Sequence, residues 1–377
     1  MGQAAWKPIK NVALNWLDSI GRMDSTPSIS VPVLGMHRSG TSMVSRMLEA
    51  GGVSFGSDKN LAGPGADNEL GYWENLEIRS INEELLERYG GDWRCPPAFS
   101  ADAFSGKSND DLRERARASL DLLSASASCW SMKDPRMSLL LSFWQPLLSS
   151  PPRAVLCLRH PFAVAASLSK RNHISKELAG FLWQEYTASA CKGLVDVAAD
   201  VLVVSYEQVL ENPQTEVQRW IRFFAGFNVE LNEEAMVEAV NVSLNHAPQE
   251  KFLFPELDPA GHKLYEQLQA CATNHAAWSS IDPVFPHRDP RFCALMKELS
   301  ALASELDKKS AAYTDRIQET VTARSALKHF QEEQEAQQLR LEGELKRELE
   351  AERAHRDNLQ GRLEFRLGSA LRRLLRR

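Results

Sequence analysis

Short apolar runs alternate with longer helix-like stretches over most of the chain. Three such runs occupy residues 31–34, 154–158 and 201–204. Alternation of this kind is typical of a parallel β-sheet whose strands are joined by crossover helices. We therefore expect an α/β fold, with ligand-binding residues just past the carboxyl ends of the strands.

The pattern changes near residue 296. Beyond it the chain has no Pro and few Gly, and charged residues dominate, which predicts a long helix or several helices. A heptad repeat fits poorly, because Leu345 and Leu349 suit an apolar seam but Glu352 and Arg356 then fall on it. A solvated helical arm is favoured over a sustained coiled coil.

Residues 359–377 predict a different kind of helix. Leucines share one helical face and arginines lie opposite, with no acidic residue after Glu364. Such a basic amphipathic helix can lie on an anionic membrane surface. Docking to a partner helix, or a frayed end, is an equally good interpretation. The residues of the two faces are Leu359, Leu363, Leu367, Leu371, Leu374 and Leu375, and Arg366, Arg372, Arg373, Arg376 and Arg377.

The N-terminal residues predict a short amphipathic helix that begins at Pro8 and ends before Gly21. Asn11 and Asp18 interrupt any signal-peptide core. No apolar run approaches the ~20 residues that a membrane-spanning helix needs. We expect a cytoplasmic protein, with peripheral contact at the inner membrane face as an open alternative.

Composition narrows the class of protein. The chain has 377 residues, 43% of them apolar, and a net charge of −6. Its length suits one large α/β domain with an appendage, or two domains. Mild acidity argues against nucleic acid as the main partner. The six cysteines are scattered singly, which favours reduced thiols over disulfides or a zinc site.

A glycine-rich turn follows the first apolar run. Residues 33–42 are Val-Leu-Gly-Met-His-Arg-Ser-Gly-Thr-Ser, and a helix-like stretch follows at once. In this layout backbone N–H groups converge on an anion. Gly35 and Gly40 keep the spacing of an ATP-binding loop, but Thr41 replaces its lysine. The nearby cation is Arg38, whose forked donors suit a phosphosulfate or a single phosphate.

A second strand-to-helix junction carries Arg159 and, eight residues later, Ser167. The two motifs together resemble the bacterial-type branch of the P-loop sulfotransferase superfamily. These enzymes use 3′-phosphoadenosine 5′-phosphosulfate (PAPS). Gly-Tyr-Trp-Glu-Asn at 71–75 and Lys-Asp-Pro-Arg at 133–136 also match that branch. The resemblance covers residues 29–255.

This resemblance implies a PAPS-dependent transferase that passes a sulfuryl group to a hydroxyl, and less readily to an amine. A carbohydrate or glycoconjugate is the expected acceptor, and the reaction needs no metal ion. The 5′-phosphosulfate would be bound by the loop, and the 3′-phosphate by the Arg–Ser pair. The implied nucleotide-binding residues are Arg38, Ser39, Gly40, Thr41, Ser42, Arg159 and Ser167.

The catalytic residues are expected from three places. Arg38 would stabilise the leaving 5′-phosphate, and Lys133 would meet the transferring sulfonate. Glu74 is our choice of general base, because aromatic neighbours could desolvate it. Glu69 or a histidine could serve instead. Glu74 could equally be an ordinary first-turn acid of the helix predicted over 75–86.

Weaker expectations concern three further residues. His37, inside the loop, could touch the sulfate, but a structural hydrogen bond is favoured. Asp92 and Trp93 are candidates for the lining of the acceptor pocket.

The expected organisation has four segments. Residues 1–28 form the N-terminal helix and linker, 29–255 the sulfotransferase domain, 256–296 a subdomain segment and 297–377 the helical tail. Two other functions stay open. The missing lysine and the Arg159–Ser167 pair argue against a P-loop kinase of small molecules. Intact phosphate motifs argue against a non-catalytic nucleotide-binding scaffold.

Overall fold

Four parallel strands form the centre of the computed structural model, in the order β2-β1-β3-β4. They are β1 (Ile29–Leu34), β2 (Cys129–Lys133), β3 (Arg153–Leu158) and β4 (Asp200–Ser205). The structure describes residues 28–63, 71–100, 102–240, 257–286, 288 and 290–374. The predicted N-terminal helix therefore lies outside the described residues.

Helices join the strands and cover the sheet, which confirms the predicted α/β fold. In chain order the described α-helices are α1 (Thr41–Ala50), α2 (Leu76–Arg88), α3 (Asp110–Ser126), α4 (Met137–Trp144), α5 (Pro161–Asn172), α6 (Lys176–Asp196), α7 (Tyr206–Glu211), α8 (Pro213–Ala225), α9 (Glu233–Glu238), α10 (Pro259–Thr273) and α11 (Pro290–Leu374).

The two faces of the sheet belong to two separate hydrophobic clusters. Leu34 of β1 packs into one cluster with α2 to α6 and α10, whereas Val31 and Val33 pack into the other with α1, α8 and α9. Successive side chains of a strand point to opposite faces, so a strand covered on both faces is apolar throughout. This burial explains why β1, β3 and β4 were visible as short apolar runs. The buried strand β2 contains Ser131 and Lys133 and was not among those runs.

Strand register brings the carboxyl ends of the strands to one edge. Val33 of β1 pairs with Lys133 of β2 and with Val155 of β3. Leu158 of β3 pairs with Ser205 of β4. The turns that follow these strands therefore lie side by side, as expected for a ligand-binding edge.

The chain divides into two compact units between Ser300 and Ala301. In the second unit, the described residues form the remainder of α11, a single uninterrupted helix that confirms the predicted helical extension. The large apolar side chains that are described there are exposed, with Leu306 at 67% and Leu345 at 66%. Past residue 362 no side chain is described, so the predicted basic face lies outside the described side chains.

None of the helices in the described part of the chain combines the length and the apolar character that crossing a membrane requires.

Candidate active site

The phosphate-type loop between β1 and α1 has the backbone that its glycines permit. Gly35 has a φ of 142°, and a Cβ there would lie 2.8 Å from the carbonyl oxygen of Cys157. Gly40 has a φ of 90°, and a Cβ there would collide with the ring of Tyr206. Both positions therefore need glycine.

Arg38 also adopts a left-handed backbone, with a φ of 69°. A non-glycine residue in this region is uncommon and costs free energy. One hydrogen bond within the loop and one to α4 hold this conformation. The Ser39 N–H donates to Met36 O at 3.1 Å, and the Gly35 N–H donates to Ser138 Oγ at 2.9 Å. Thr41 and Ser42 then begin α1, whose N-terminus points its positive dipole end at the loop.

The two predicted nucleotide motifs meet in space. Arg38 Nε donates to Ser167 Oγ at 2.8 Å, although the two residues are 129 positions apart. Arg159 Nη1 donates to the carbonyl oxygen of Arg38 at 3.0 Å. The structure therefore places the loop and the Arg–Ser pair at one continuous site, which the sequence spacing alone could only suggest.

The guanidinium of Arg159 is held in place by Tyr206, and one of its nitrogens has no hydrogen-bond partner among the described residues. It lies 4.2 Å from the ring centroid of Tyr206, a cation–π arrangement. The side chain is only 8% exposed, yet Nε has no hydrogen-bond partner among the described residues. A buried guanidinium nitrogen without a partner is unfavourable.

The backbone around Arg159 is fixed from two sides. Trp183 Nε1 donates to the carbonyl oxygen of Arg159 at 3.2 Å, and the His160 N–H donates to Glu207 Oε1 at 3.0 Å. His160 Nδ1 accepts from the Phe162 N–H at 3.2 Å and so caps α5. Burial lowers the pKa of His160, which keeps the ring neutral and able to accept.

Lys133 and Glu74 form a buried ion pair at the end of β2. Lys133 Nζ lies 2.7 Å from Glu74 Oε1, and also donates to the Tyr72 carbonyl oxygen at 2.9 Å and to Ser42 Oγ at 3.3 Å. Lys133 is 2% exposed and Glu74 is 8% exposed. The bond to Ser42 puts the pair against the first turn of α1, beside the phosphate-type loop.

The structure overturns the alternative interpretation of Glu74 as a first-turn acid. Asn75 is the N-cap of α2, and its side chain accepts from the N–H groups of Glu77 and Ile78. The acid in the first turn is Glu77. Glu74 precedes the cap, so its carboxylate is free of that helix and meets Lys133 instead. The competing base candidate, Glu69, lies outside the described residues.

Trp73, which precedes Glu74, makes a hydrogen bond to a carboxylate on α1. Trp73 has a φ of 55°, and its Nε1 donates to Glu49 Oε2 on α1 at 2.6 Å. The indole therefore ties the 71–75 segment to α1.

Asp134 and Arg136, which follow Lys133 closely in sequence, form a second ion pair. Asp134 is fully buried and accepts from the Arg136 N–H at 2.8 Å and from its guanidinium at 3.1 Å. Arg136 Nη2 also donates to Glu83 Oε1 at 2.8 Å.

A structural hydrogen bond was favoured for His37, and its Nε2 does not make one with any described residue. That nitrogen is itself buried. The ring packs 4.7 Å from Trp93 and 5.7 Å from Tyr186, measured between centroids. Burial first, and then nearby cations, hold the pKa of His37 well below its ordinary value.

The predicted acceptor-pocket residues have different roles. Trp93 borders the loop through His37. Asp92 Oδ1 accepts from the N–H groups of Arg94 and Cys95, at 2.7 and 2.8 Å, and so shapes the turn that presents Trp93.

Sequence reasoning missed Tyr206 as a site residue. Its ring packs against Gly40 and against the guanidinium of Arg159. The available signal was an aromatic residue directly after a buried strand, at the same edge as the two motifs.

Comparison with family profiles and with curated proteins returns no match. Among solved structures, the chain is similar to the sulfotransferase domain of the olefin synthase from Synechococcus PCC 7002, at 17% identity and a TM-score of 0.37. That alignment covers 73% of this chain and 95% of the other. Sulfotransferase STF9 from Mycobacterium avium is similar at 14% identity and a TM-score of 0.38, over 73% and 82% of the two chains.

Proposed function

We propose that this chain is a PAPS-dependent sulfotransferase that acts on a hydroxyl acceptor, with a carbohydrate or glycoconjugate as the preferred class. The observation that carries the proposal is the convergence of Arg38, Ser167 and Arg159 at one edge of the sheet. It joins an anion-binding loop to a second cationic site, as a nucleotide with phosphates on both its 5′ and 3′ positions requires.

The 3′-phosphate would be bound by Arg159 and Ser167. The unpartnered Nε of Arg159 is a buried donor that such a phosphate would satisfy, and guanidinium groups bind phosphate oxygens in a bidentate manner. The ring of Tyr206 packs against the guanidinium and holds it in position. ATP has no phosphate to place here, which is why we prefer PAPS to a triphosphate.

The 5′ side would be bound by the loop itself. Gly35 and Gly40 keep its backbone close-packed, and the N-terminus of α1 favours negative charge. Ser39, Thr41 and Ser42 would add hydroxyl and backbone donors. Arg38 would act on the 5′-phosphate as it leaves, where charge builds up in the transition state.

In the transfer, an acceptor oxygen attacks sulfur, the bond from sulfur to the 5′-phosphate oxygen breaks, and the acceptor loses its proton. Glu74 takes that proton as general base. Lys133 interacts with the sulfonate oxygens. Because protonation of Glu74 neutralises the counterion of Lys133, the positive charge of Lys133 becomes available as the S–O bond breaks.

A carbohydrate acceptor agrees with the aromatic surface beside the loop. Trp93 lies against His37 there, and the guanidinium of Arg94 lies 4.9 Å from the Trp93 ring centroid. Aromatic faces suit the apolar faces of sugars. Residues 359–377 would bring the enzyme to an anionic membrane surface where such acceptors are assembled.

The decisive experiment is a binding comparison between 3′-phosphoadenosine 5′-phosphate (PAP), adenosine 5′-phosphate and ATP. Wild type should bind PAP most tightly. Arg159→Ala should weaken PAP by about one to two decades, because a charge-assisted hydrogen bond is worth ~1.5–3 kcal/mol, and leave adenosine 5′-phosphate unchanged. Calorimetric titration measures both.

Arg153→Ala is the matched control, because Arg153 lies at the other end of β3 and pairs with Asp200. It should leave the preference for PAP intact. If Arg159→Ala keeps the wild-type ratio of the two affinities, the 3′-phosphate assignment is wrong. Preference for ATP in the wild type would favour a kinase instead.

A further inference from the structure

His37 is a half-buried loop residue to which the proposed mechanism gives no role. It lies between Gly35 and Arg38, inside the segment that would surround the 5′-phosphosulfate. Its ring is fixed between Trp93 and Tyr186. Tyr186 is itself anchored, because its hydroxyl donates to the Trp93 carbonyl oxygen at 2.9 Å. The imidazole is therefore held in one orientation.

That orientation leaves a polar atom unsatisfied. Nε2 of His37 is buried and makes no hydrogen bond with any residue that the structure describes. Buried polar atoms in native proteins nearly always have a partner, and an orphaned one is costly. A ligand that enters the loop is a natural source of the missing partner.

The surroundings of His37 select the charge of that ligand. Arg136, Lys133, Arg171 and Arg38 all act on the imidazole electrostatically, and with burial they keep its pKa low and the ring neutral. A neutral imidazole carries one N–H donor. Four cationic neighbours favour an anion, and Lys133 is already proposed to bind the sulfonate. A donor among cations fits a sulfonate oxygen better than it fits an uncharged hydroxyl.

We infer, on the basis of the proposed function, that His37 Nε2 donates a hydrogen bond to an oxygen of the transferring sulfonate. The loop would then distinguish PAPS from PAP through this contact, since the two nucleotides differ only in the sulfonate. Lys133 and His37 would hold the sulfonate from two directions and orient sulfur toward the acceptor.

The test needs no knowledge of the acceptor. Dissociation constants of PAPS and PAP are measured by calorimetric titration for wild type, His37→Phe and His37→Gln. Phe keeps a ring against Trp93 and Tyr186 but has no donor, whereas Gln keeps an N–H donor at a similar reach. His37→Phe should weaken PAPS about tenfold, the value of one hydrogen bond to an anion, and leave PAP unchanged. His37→Gln should retain most of the wild-type ratio.

Each other outcome decides against the inference. If His37→Phe keeps the wild-type ratio of PAPS to PAP affinity, the contact does not exist. If Phe and Gln weaken both nucleotides equally, His37 is a packing residue. Should His37→Phe fail to fold, judged by its thermal melt, His37→Asn replaces it, because its shorter amide stops short of the Nε2 position. If wild type binds neither nucleotide, the proposed function itself is wrong and the inference falls with it.

Discussion

Two ion pairs in this protein have the same length and opposite surroundings. Lys133 and Glu74, in the α/β unit, are 2.7 Å apart, with side chains that are 2% and 11% exposed. Lys309 and Glu305, on α11, are also 2.7 Å apart, with side chains that are 73% and 61% exposed. Distance therefore says nothing about what a pair contributes, whereas burial does.

The two pairs also differ in how many partners each charge has. Lys133 donates to a carboxylate and a backbone carbonyl of the 71–75 segment and to a hydroxyl at the start of α1. Lys309 meets an acid one helical turn away on its own helix. A buried charge with partners from several elements is costly to place, and such placement marks a functional site more often than an exposed pair does.

The largest expected effect comes from Glu74→Gln. Removing one partner of a buried pair leaves Lys133 charged and uncompensated, which costs about 3–5 kcal/mol in the free energy of unfolding. If Glu74 is also the base, turnover on the wild-type acceptor should fall about 10²–10⁴-fold. Urea denaturation and initial rates measure the two effects separately.

Glu305→Gln is the matched control on α11. An exposed pair one helical turn apart is worth only about 0.3–0.5 kcal/mol, so stability and turnover should barely change. A stability loss in Glu74→Gln with full turnover would make the Lys133–Glu74 pair structural and would move the base elsewhere. Equal losses in the two variants would contradict the contrast between the pairs.

A smaller effect on stability is expected from His37 and His160 as pH falls. Folding lowers the pKa of His37 and of His160, whereas an unfolded histidine titrates near ~6.5. Below about pH 6.5 these histidines bind protons in the unfolded chain that they do not bind in the folded chain. The free energy of unfolding therefore has its full value above that pH. It decreases as pH falls, by up to about 1.4 kcal/mol per pH unit for each histidine.

His37→Phe should weaken this dependence of stability on pH, because the variant lacks one group that binds a proton in the unfolded chain but not in the folded chain. His329→Phe, on α11, replaces a histidine whose side chain is 75% exposed and should leave the dependence as it is. Urea denaturation across the acid range compares the three proteins. Parallel curves for wild type and His37→Phe would show that burial of His37 has no such consequence.

Much of the fold followed from the sequence because its signals are local. A strand buried on both faces is an apolar run, and the run at 154–158 falls within β3 (Arg153–Leu158). The lack of Pro and the scarcity of Gly after residue 296 predicted the long helix α11. The phosphate-type loop was equally visible, since Gly35 and Gly40 are required by its own backbone.

The chemistry of the site was less accessible, because it depends on contacts between distant segments. No spacing rule shows that Glu74 pairs with Lys133, 59 positions away, and not with the helix that follows it. Tyr206 matters only because β4 lies beside β3, which places its ring under Arg159. The unpartnered Nε2 of His37 is likewise a property of the packed structure.

The smallest effect on the active site is expected from removing α11 beyond Ser300. Every residue of the proposed nucleotide site precedes Ser300, so a chain ending there should bind PAP within about twofold of wild type. The same truncation should abolish sedimentation with anionic vesicles, because each basic residue near such a surface contributes ~1 kcal/mol and salt screens it. Neutral vesicles are the control for the full chain. If the full chain does not sediment with anionic vesicles at low salt, the membrane proposal is wrong. If truncation weakens PAP binding tenfold, the residues beyond Ser300 contribute to nucleotide binding.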